Sequence, residues 1–414
     1  MVYLDYSATS PLITEAKMAM LSAMELSANA SALHTPGHLA MNTIEDAREE
    51  IAKLINAEPE EILFTSGGTE SNNTVTNIFA GKPVAVSAIE HPSLLESAKL
   101  RCQTAIIPVD NDGKVSCNSL SRNISDATRS ARASATPVTT GVARGVSEKE
   151  LLREPALVSI MLANNEIGTI NDIKSLAKEA HKRGALFHTD ATQALGKIKI
   201  DVKDLDVDYM TISSHKIGGP IGIGALYIKK GSPFTSLIIG GHQERGRRAG
   251  TYQTVNIAGF GAAAKYANNH QTWNIYQEKI RPLRDLLKSR ILKEIPYSSA
   301  NTPEESLPNI LNCSFEAAEG ESIQLYLDAE GEIITSTGSA CASGDGKPSH
   351  VIMATRNDAE IAHSSVRFSF GLDSTEKDVE HVMKYLPGIV DRLQKISTLK
   401  AGKIKKEDSY YGRK

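Results

Sequence analysis

The stretch Glu61-Ile62-Leu63-Phe64-Thr65-Ser66-Gly67-Gly68-Thr69-Glu70 runs from a short apolar segment through a glycine turn into residues 71–79, which can be helical. An apolar run of this length, closed by Ser and Gly, reads as a buried strand. The glycines allow close backbone approach. The helix start beyond them offers free N–H groups and the positive end of a dipole, so the turn can cradle a phosphate. An ordinary strand-to-helix turn capped by Thr69 fits the same residues. Just upstream, Ile44, Ala47, Ile51, Leu54 and Ile55 recur at helical spacing and predict a helix over 43–56. Downstream, further strands are expected at 84–88, 105–109, 157–162, 185–188, 209–213 and 225–228. Short apolar runs alternating with helical stretches predict an α/β fold with a mostly parallel sheet. From about residue 275 longer helical stretches take over, with short apolar runs at 310–311 and 333–334 and a last helix over 375–394. These read as a smaller α/β domain. Pro282 is expected in a first turn or at a break.

Composition narrows the function. The 414 residues are 41% hydrophobic and 23% charged, which excludes disordered, collagen-like and fibrous classes. Lys plus Arg is 46 against 49 for Asp plus Glu, a net charge of −3, and aromatics are 5%. Neither a dedicated nucleic-acid binder nor a base-stacking platform is expected. Four cysteines without a C-x-x-C exclude a disulfide scaffold and a structural zinc site. No secretory signal and no apolar run near the about 18 residues of a membrane span is visible. A cytoplasmic protein with free thiols is expected. Residues 130–150, rich in Ala, Ser, Thr, Arg and Gly, predict an exposed, mobile insertion, and residues 400–414 a frayed tail.

Four more places carry chemistry. Asp190, in Phe187-His188-Thr189-Asp190-Ala191-Thr192-Gln193, follows an apolar run, where α/β sheets place ligands. Its carboxylate can hold a proton on a heterocyclic nitrogen or simply cap a helix. Lys216, in Ser213-Ser214-His215-Lys216, ends another apolar run. A partly desolvated lysine there can form a Schiff base; a solvated loop lysine is the plainer alternative. Cys341 lies in a small-residue, glycine-rich stretch, Gly338 to Gly346, suited to presenting a thiolate. Arg367, in a strand-like run, can bind a carboxylate bidentately or serve a structural ion pair. A phosphate cradle, a carboxylate and a Schiff-base lysine on successive strand ends are what pyridoxal phosphate requires.

Taken together the residues resemble the cysteine desulfurases, pyridoxal-phosphate enzymes of the aminotransferase class V group, and the branch supplying sulfur for iron–sulfur cluster assembly. The motifs, in family order to about residue 395, are Tyr3 to Thr9, Phe64 to Asn72, Glu90-His91, Asn164 to Gly168, His188 to Gln193, Ser213 to Lys216, Arg248 to Thr251, Gly338 to Cys341 and Ser364 to Ser369. The resemblance implies the type I transferase fold: a large cofactor domain over 14–265 with a mostly parallel seven-stranded sheet and an insertion near 129–155. A small domain from 1–13 and 266–414 would carry the catalytic cysteine. It implies pyridoxal 5'-phosphate bound as an imine of Lys216, which later moves protons. Asp190 would face the pyridine nitrogen, Gln193 the phenolic oxygen and Asn165 the ring and the substrate carboxylate. His91 would stack on the ring and work as acid or base. Gly68, Thr69, Ser213 and His215 would hold the phosphate, with Thr251 reaching it from the second subunit of a homodimer. Arg367 would clamp the carboxylate of L-cysteine, and Cys341 would take its sulfur as a persulfide for an iron–sulfur scaffold or another acceptor, releasing alanine. The resemblance also permits Cys341 as a transient [2Fe–2S] ligand. A selenocysteine lyase or related lyase, and a non-enzymatic scaffold retaining the fold, are the alternative readings. Ala30 replaces a usual Pro and Leu162 a frequent His, the insertion has no family counterpart, and the tail lacks an acidic–aromatic ending.

Overall fold

The computed structural model describes residues 1–122, 156–337, 348–399 and 401–402. Cys341 and its glycine-rich stretch, the expected insertion near 129–155 and most of the tail lie outside the described residues.

Twelve strands are described: β1 (Val2–Tyr3), β2 (Ile62–Thr65), β3 (Pro83–Ser87), β4 (Gln103–Ile107), β5 (Leu157–Ser159), β6 (Leu186–Asp190), β7 (Tyr209–Ser213), β8 (Gly224–Ile228), β9 (Ser298–Ala300), β10 (Ile310–Phe315), β11 (Ile333–Ile334) and β12 (Ser365–Ser369). Seven form one sheet in the order β2-β8-β7-β6-β5-β3-β4. Strands β3 to β7 pair in parallel, whereas β8 is antiparallel to both β7 and β2. Only β8 therefore runs against the rest, which matches the mostly parallel seven-stranded sheet that the resemblance implies.

Helices cover both faces, as a buried parallel sheet demands. On one face, helix α2 (Thr35–Ile55) and the helix Thr254–Asn269 bury Ile44, Ile51 and Phe260 with Phe187 and Met210 of the sheet. Helix α1 (Thr14–Met24) packs outside them on Thr254–Asn269. On the other face, α3 (Gly68–Ile78) and α4 (Pro92–Arg101) bury Val75, Phe79 and Leu95 against Leu63, Val86 and Leu226. A separate apolar cluster joins the antiparallel sheet β12-β10-β9 to the helices Arg281–Glu294 and Glu376–Ile396. Val2 and Leu4 belong to this second cluster, and β1 pairs in parallel with β11.

The element limits differ from the sequence reading where capping overrides periodicity. Helix α2 begins eight residues before the expected 43, because the His34 side chain accepts from the Gly37 N–H and a proline opens the first turn. It ends at Asn56, whose φ of 57° is left-handed. The strand expected over 157–162 is only Leu157–Ser159. Pro282 sits in the first turn of Arg281–Glu294, preceded by a π-turn over Tyr276–Ile280.

Arg48, buried on α2, ties three elements together. Its guanidinium donates to Glu244 Oε1 (2.6 Å) and Oε2 (2.9 Å) and to the Ile62 carbonyl, and it lies 4.6 Å above the Phe64 ring. Glu244 also accepts from the Phe64 N–H. Arg48→Met leaves a buried carboxylate without its counter-charge, so the unfolding free energy should fall by about 3 kcal/mol in urea titration. A loss under about 1 kcal/mol, the range of exposed pairs, would show that the pair adds nothing beyond packing.

Candidate active site

The parallel strands bring their carboxyl ends to one edge, and a cleft of about 430 Å³ opens there. Its walls include Gly68, Thr69, His91, Asn165, Asp190, Gln193, Ser213, His215, Lys216 and Arg367. Ten of the residues singled out from sequence thus meet in one place. Thr251 is exposed and is not a wall residue. Cys341 lies outside the described residues.

Asp190 is the last residue of β6 and is buried. Oδ1 accepts from the Thr192 N–H (2.9 Å), and Oδ2 accepts from the Asn72 side chain (2.9 Å). Asn72 also donates to Ser93 Oγ (2.9 Å), which lies 2.8 Å from His91 Nδ1. His91 is the N-cap of α4 and accepts from the Ser93 N–H. Burial pushes the His91 imidazole below its ordinary value, against the pull of Asp190 and with Lys216 and His350 adding to it. A neutral, oriented ring therefore faces the cleft at pH 7. Ser93 was not singled out from sequence, and Asn72 only as the end of a motif with no role given to it; the packing of α3 beside α4 joins them, and spacing along the chain carries no trace of it.

Lys216 ends a short 3-10 turn, Ser214–Lys216, directly after β7. Its Nζ donates to the carbonyls of Ser7 (2.5 Å) and Ala8 (2.8 Å). Gln193 donates to the same Ser7 carbonyl through Nε2 (2.9 Å). His215 Nδ1 is 3.2 Å from Thr9 Oγ1, and burial with the charges of Lys216 and Lys197 pushes this imidazole down to about 4.

On the opposite wall, Arg367 of β12 donates to Asp5 Oδ1 (2.8 Å) and to the Asn165 carbonyl (2.9 Å). Its Nε is buried with no hydrogen-bond partner. Beside it the Glu166 carboxyl is pushed up to about 7 by burial, against the opposing pull of Ser349 and Arg367. Ser349 donates to Glu166 and caps the helix His350–Arg356.

The fourth wall is the start of α3. Gly67 has a φ of 149°, open to glycine alone, and gives the helix no side-chain cap. First-turn N–H groups are thus left for an anion. Glu70 in the same turn is held below the usual carboxylate range: burial opposes this, but Arg248, at 2.9 Å and 3.1 Å, and Ser66 prevail.

These residues fit a phosphorylated pyridine aldehyde. Thr192 Oγ1, Gln193 Oε1 and Arg367 Nε line the cleft as buried polar atoms with no partner. Such atoms are rare in native proteins unless a ligand satisfies them. Gln193 already spends one N–H on Ser7, so its second is the one left for a ring oxygen. Among the described residues no cluster of three His, Cys, Asp or Glu side chains could hold a metal ion.

The aminotransferase class-V family profile matches residues 2–149 and 145–382. The cysteine desulfurase IscS of Dictyoglomus turgidum is 41% identical over 411 residues, covering 96% of this chain and 97% of that protein. The crystal structure of a NifS-like protein from Rickettsia africae superposes with a TM-score of 0.81 at 31% identity, over 94% of this chain and 99% of that one. A structure described as SspA in complex with cysteine superposes with a TM-score of 0.70 at 28% identity, over 89% of this chain and 99% of that one.

Glu90, beneath His91, carries a pH-dependent cost. Burial, with the Asp190 charge adding to it, pushes its carboxyl up to about 8. Ser87 and the Met161 N–H donate to it. Between its ordinary value of 4.5 and about 8 the folded chain holds a proton that the unfolded chain has released. Stability therefore falls as pH rises through that window and levels off above it. Glu90→Gln, which mimics the protonated acid, should flatten the decline seen in urea midpoints between pH 5 and 8, the remainder coming from Glu166. An unchanged slope would mean that Glu90 is ionised in the folded protein.

Proposed function

The chain belongs to the aminotransferase class-V family, among the cysteine desulfurases, and on that premise we propose that it holds pyridoxal 5'-phosphate in this cleft, converts L-cysteine to L-alanine and leaves the sulfur as a persulfide on Cys341. The observation that carries the reading is the convergence of Lys216, Asp190, His91 and Arg367, from four distant segments, on one cleft.

When bound, pyridoxal phosphate supplies an electron sink for carbanion density on the amino acid. The chain's own residues do the rest. Lys216 provides the amine that attaches the cofactor and moves protons at the substrate carbon. Asp190, held by Asn72 and the Thr192 N–H, keeps a proton on the pyridine nitrogen. Gly68, Thr69, Ser213 and His215 take the phosphate, with the α3 dipole adding to them. His91 stacks on the ring and, being neutral, accepts or returns a proton. Asn165 and Arg367 orient the substrate carboxylate, the guanidinium being already fixed by Asp5. The Cys341 thiolate bonds to the substrate sulfur as the carbon–sulfur bond breaks. The bonding electrons stay with carbon, which is protonated to the methyl group of alanine. The persulfide passes to an iron–sulfur scaffold or another protein acceptor, and the same thiolate serves as a transient [2Fe–2S] ligand during handover. The domain division into 14–265 and 1–13 with 266–414 belongs to this reading.

A homodimer completes the site. Met18, Leu21 and Met24 on α1 are exposed, as are Leu33, Ile221 and Ile239. Both α1 and Ile221 lie on the helix Thr254–Asn269: Met20 and Pro220 crowd Gly259, and Asn256 donates to the Ile221 carbonyl. An apolar face of this kind marks an interface, and Thr251 of the second copy would then reach the phosphate. A cytoplasmic location belongs to this reading, where the three described cysteines, which are unpaired, would stay reduced. No described helix is long and apolar enough to cross a membrane.

Three experiments test the reading. Purified protein should show the absorbance of lysine-bound pyridoxal phosphate and release alanine from L-cysteine. Cys341→Ala should keep that spectrum and lose persulfide formation by at least about a hundredfold; sulfur transfer at the normal rate would remove Cys341 from the mechanism. Leu21→Glu with Met24→Glu should convert a dimer into monomers by light scattering. A dimer of unchanged strength would place the interface elsewhere.

A further inference from the structure

Behind the cleft stands a lysine that the mechanism above does not use. Lys197 is 1% exposed. Its Nζ donates to two backbone carbonyls, those of Gln193 (3.1 Å) and Lys216 (3.3 Å). No carboxylate of the described residues hydrogen-bonds to it. A small cavity of about 50 Å³ adjoins it, walled among others by Tyr6, Lys216, Tyr276 and Asp373.

A buried lysine without a counter-charge is costly, and an apolar side chain of the same length would fill the space more cheaply. The two carbonyls it joins explain its place. One belongs to the turn after β6, which carries Asp190 and Gln193. The other belongs to the turn after β7, which carries the reactive lysine. No strand hydrogen bond spans these two turns, because the β6–β7 pairing ends at Asp190 and Thr211. Ser10 Oγ donates to the same Lys216 carbonyl from a third segment.

We propose that Lys197 is a positioning residue for Lys216: it staples the Gln193 turn to the Lys216 turn and places a second cation beside the reactive amine. The inference rests on the reading of Lys216 as the cofactor lysine. A neighbouring cation favours the uncharged, nucleophilic form of an amine, which is one of the ways that catalytic lysines are activated. Burial, with the charge of Lys216 adding to it, pushes Lys197 down to about 7, and His215 is depressed by both lysines. The groups facing Lys197 are thus Lys216 and His215 from the β7 turn and, around the cavity, Tyr6, Tyr266, Tyr276 and Asp373. The pKa of Tyr6 is raised to about 12 and that of Tyr276 higher still, in both chiefly by burial. Both are neutral, so the local charge is set by the lysines and Asp373.

The test uses full-length Lys197→Met with wild type beside it, both freed of cofactor and checked for folding by circular dichroism. Titration with pyridoxal phosphate, followed by protein fluorescence, should show binding about tenfold weaker, the loss expected when charge-assisted hydrogen bonds disappear. The pH midpoint of the lysine-bound cofactor's absorbance should move up, by less than about one unit because Lys197, pushed down to about 7, carries its charge over only part of the range. A folded variant with wild-type affinity and midpoint overturns the proposal. Lys197→Gln keeps a donor without the charge and is read in the same way if the methionine variant does not fold. It should keep most of the affinity and still show the upward shift; a midpoint equal to wild type overturns the proposal. If wild type itself forms no lysine-bound cofactor band, the proposed function fails and the role of Lys197 falls with it; failure of the variants alone to differ from a banded wild type overturns only the role of Lys197.

Discussion

The first ten residues of the chain form a strap on which both halves of the site depend. At one end, β1 lies against β11, the Tyr6 N–H donates to the Ser369 carbonyl, and Asp5 pairs with Arg367. At the other, the carbonyls of Ser7 and Ala8 receive the Lys216 amine, and the Ser10 N–H donates to the His215 carbonyl. One short segment therefore links the arginine on one apolar core to the lysine on the other. A turn inside it, in which the Asp5 carbonyl accepts from the Ala8 and Thr9 N–H groups, sets its bend, and its other backbone groups bond to one wall or the other.

Electrostatics along the strap follow from the same economy of water. Arg367 sits beside Glu166, which is buried and neutral below about pH 7, and among the described residues its carboxylate partner is Asp5, on the strap itself. Deeper in, His188 is pushed down to about 4 by burial and lies neutral between Ser159 and Thr211. Neutral histidines and neutral carboxyls around a few fixed charges let each of those charges act at short range, because little solvent is present to screen it.

Sequence alone revealed the parts of the site that sit at strand ends. Asp190 and Lys216 follow apolar runs, and Gly67-Gly68-Thr69 opens a helix, so local pattern placed them, and the resemblance gave their order. The sheet class was equally legible, although strands came out shorter or shifted by a residue or two, as at 157–162. What remained hidden was long-range. Asn72 reaches Asp190 across 118 residues, and Asp5 reaches Arg367 across 362. Neither separation has a periodicity to betray it. Val2-Tyr3 is too short an apolar run to announce a strand, and Lys197 looks like any surface lysine until the helix Thr254–Asn269 and the strap close over it.

The strap also bears on the order of events during synthesis. Its partner strand β12 ends at Ser369, more than 360 residues downstream of Tyr6. The strap's contacts with the lysine turn need only the first 216 residues, whereas its contacts with β12 must wait for the chain to reach Ser369, and pairings so distant in sequence are slow to form. The large sheet can therefore hold its lysine before the arginine wall exists. The two halves of the site are brought to a fixed separation only as a late act of folding.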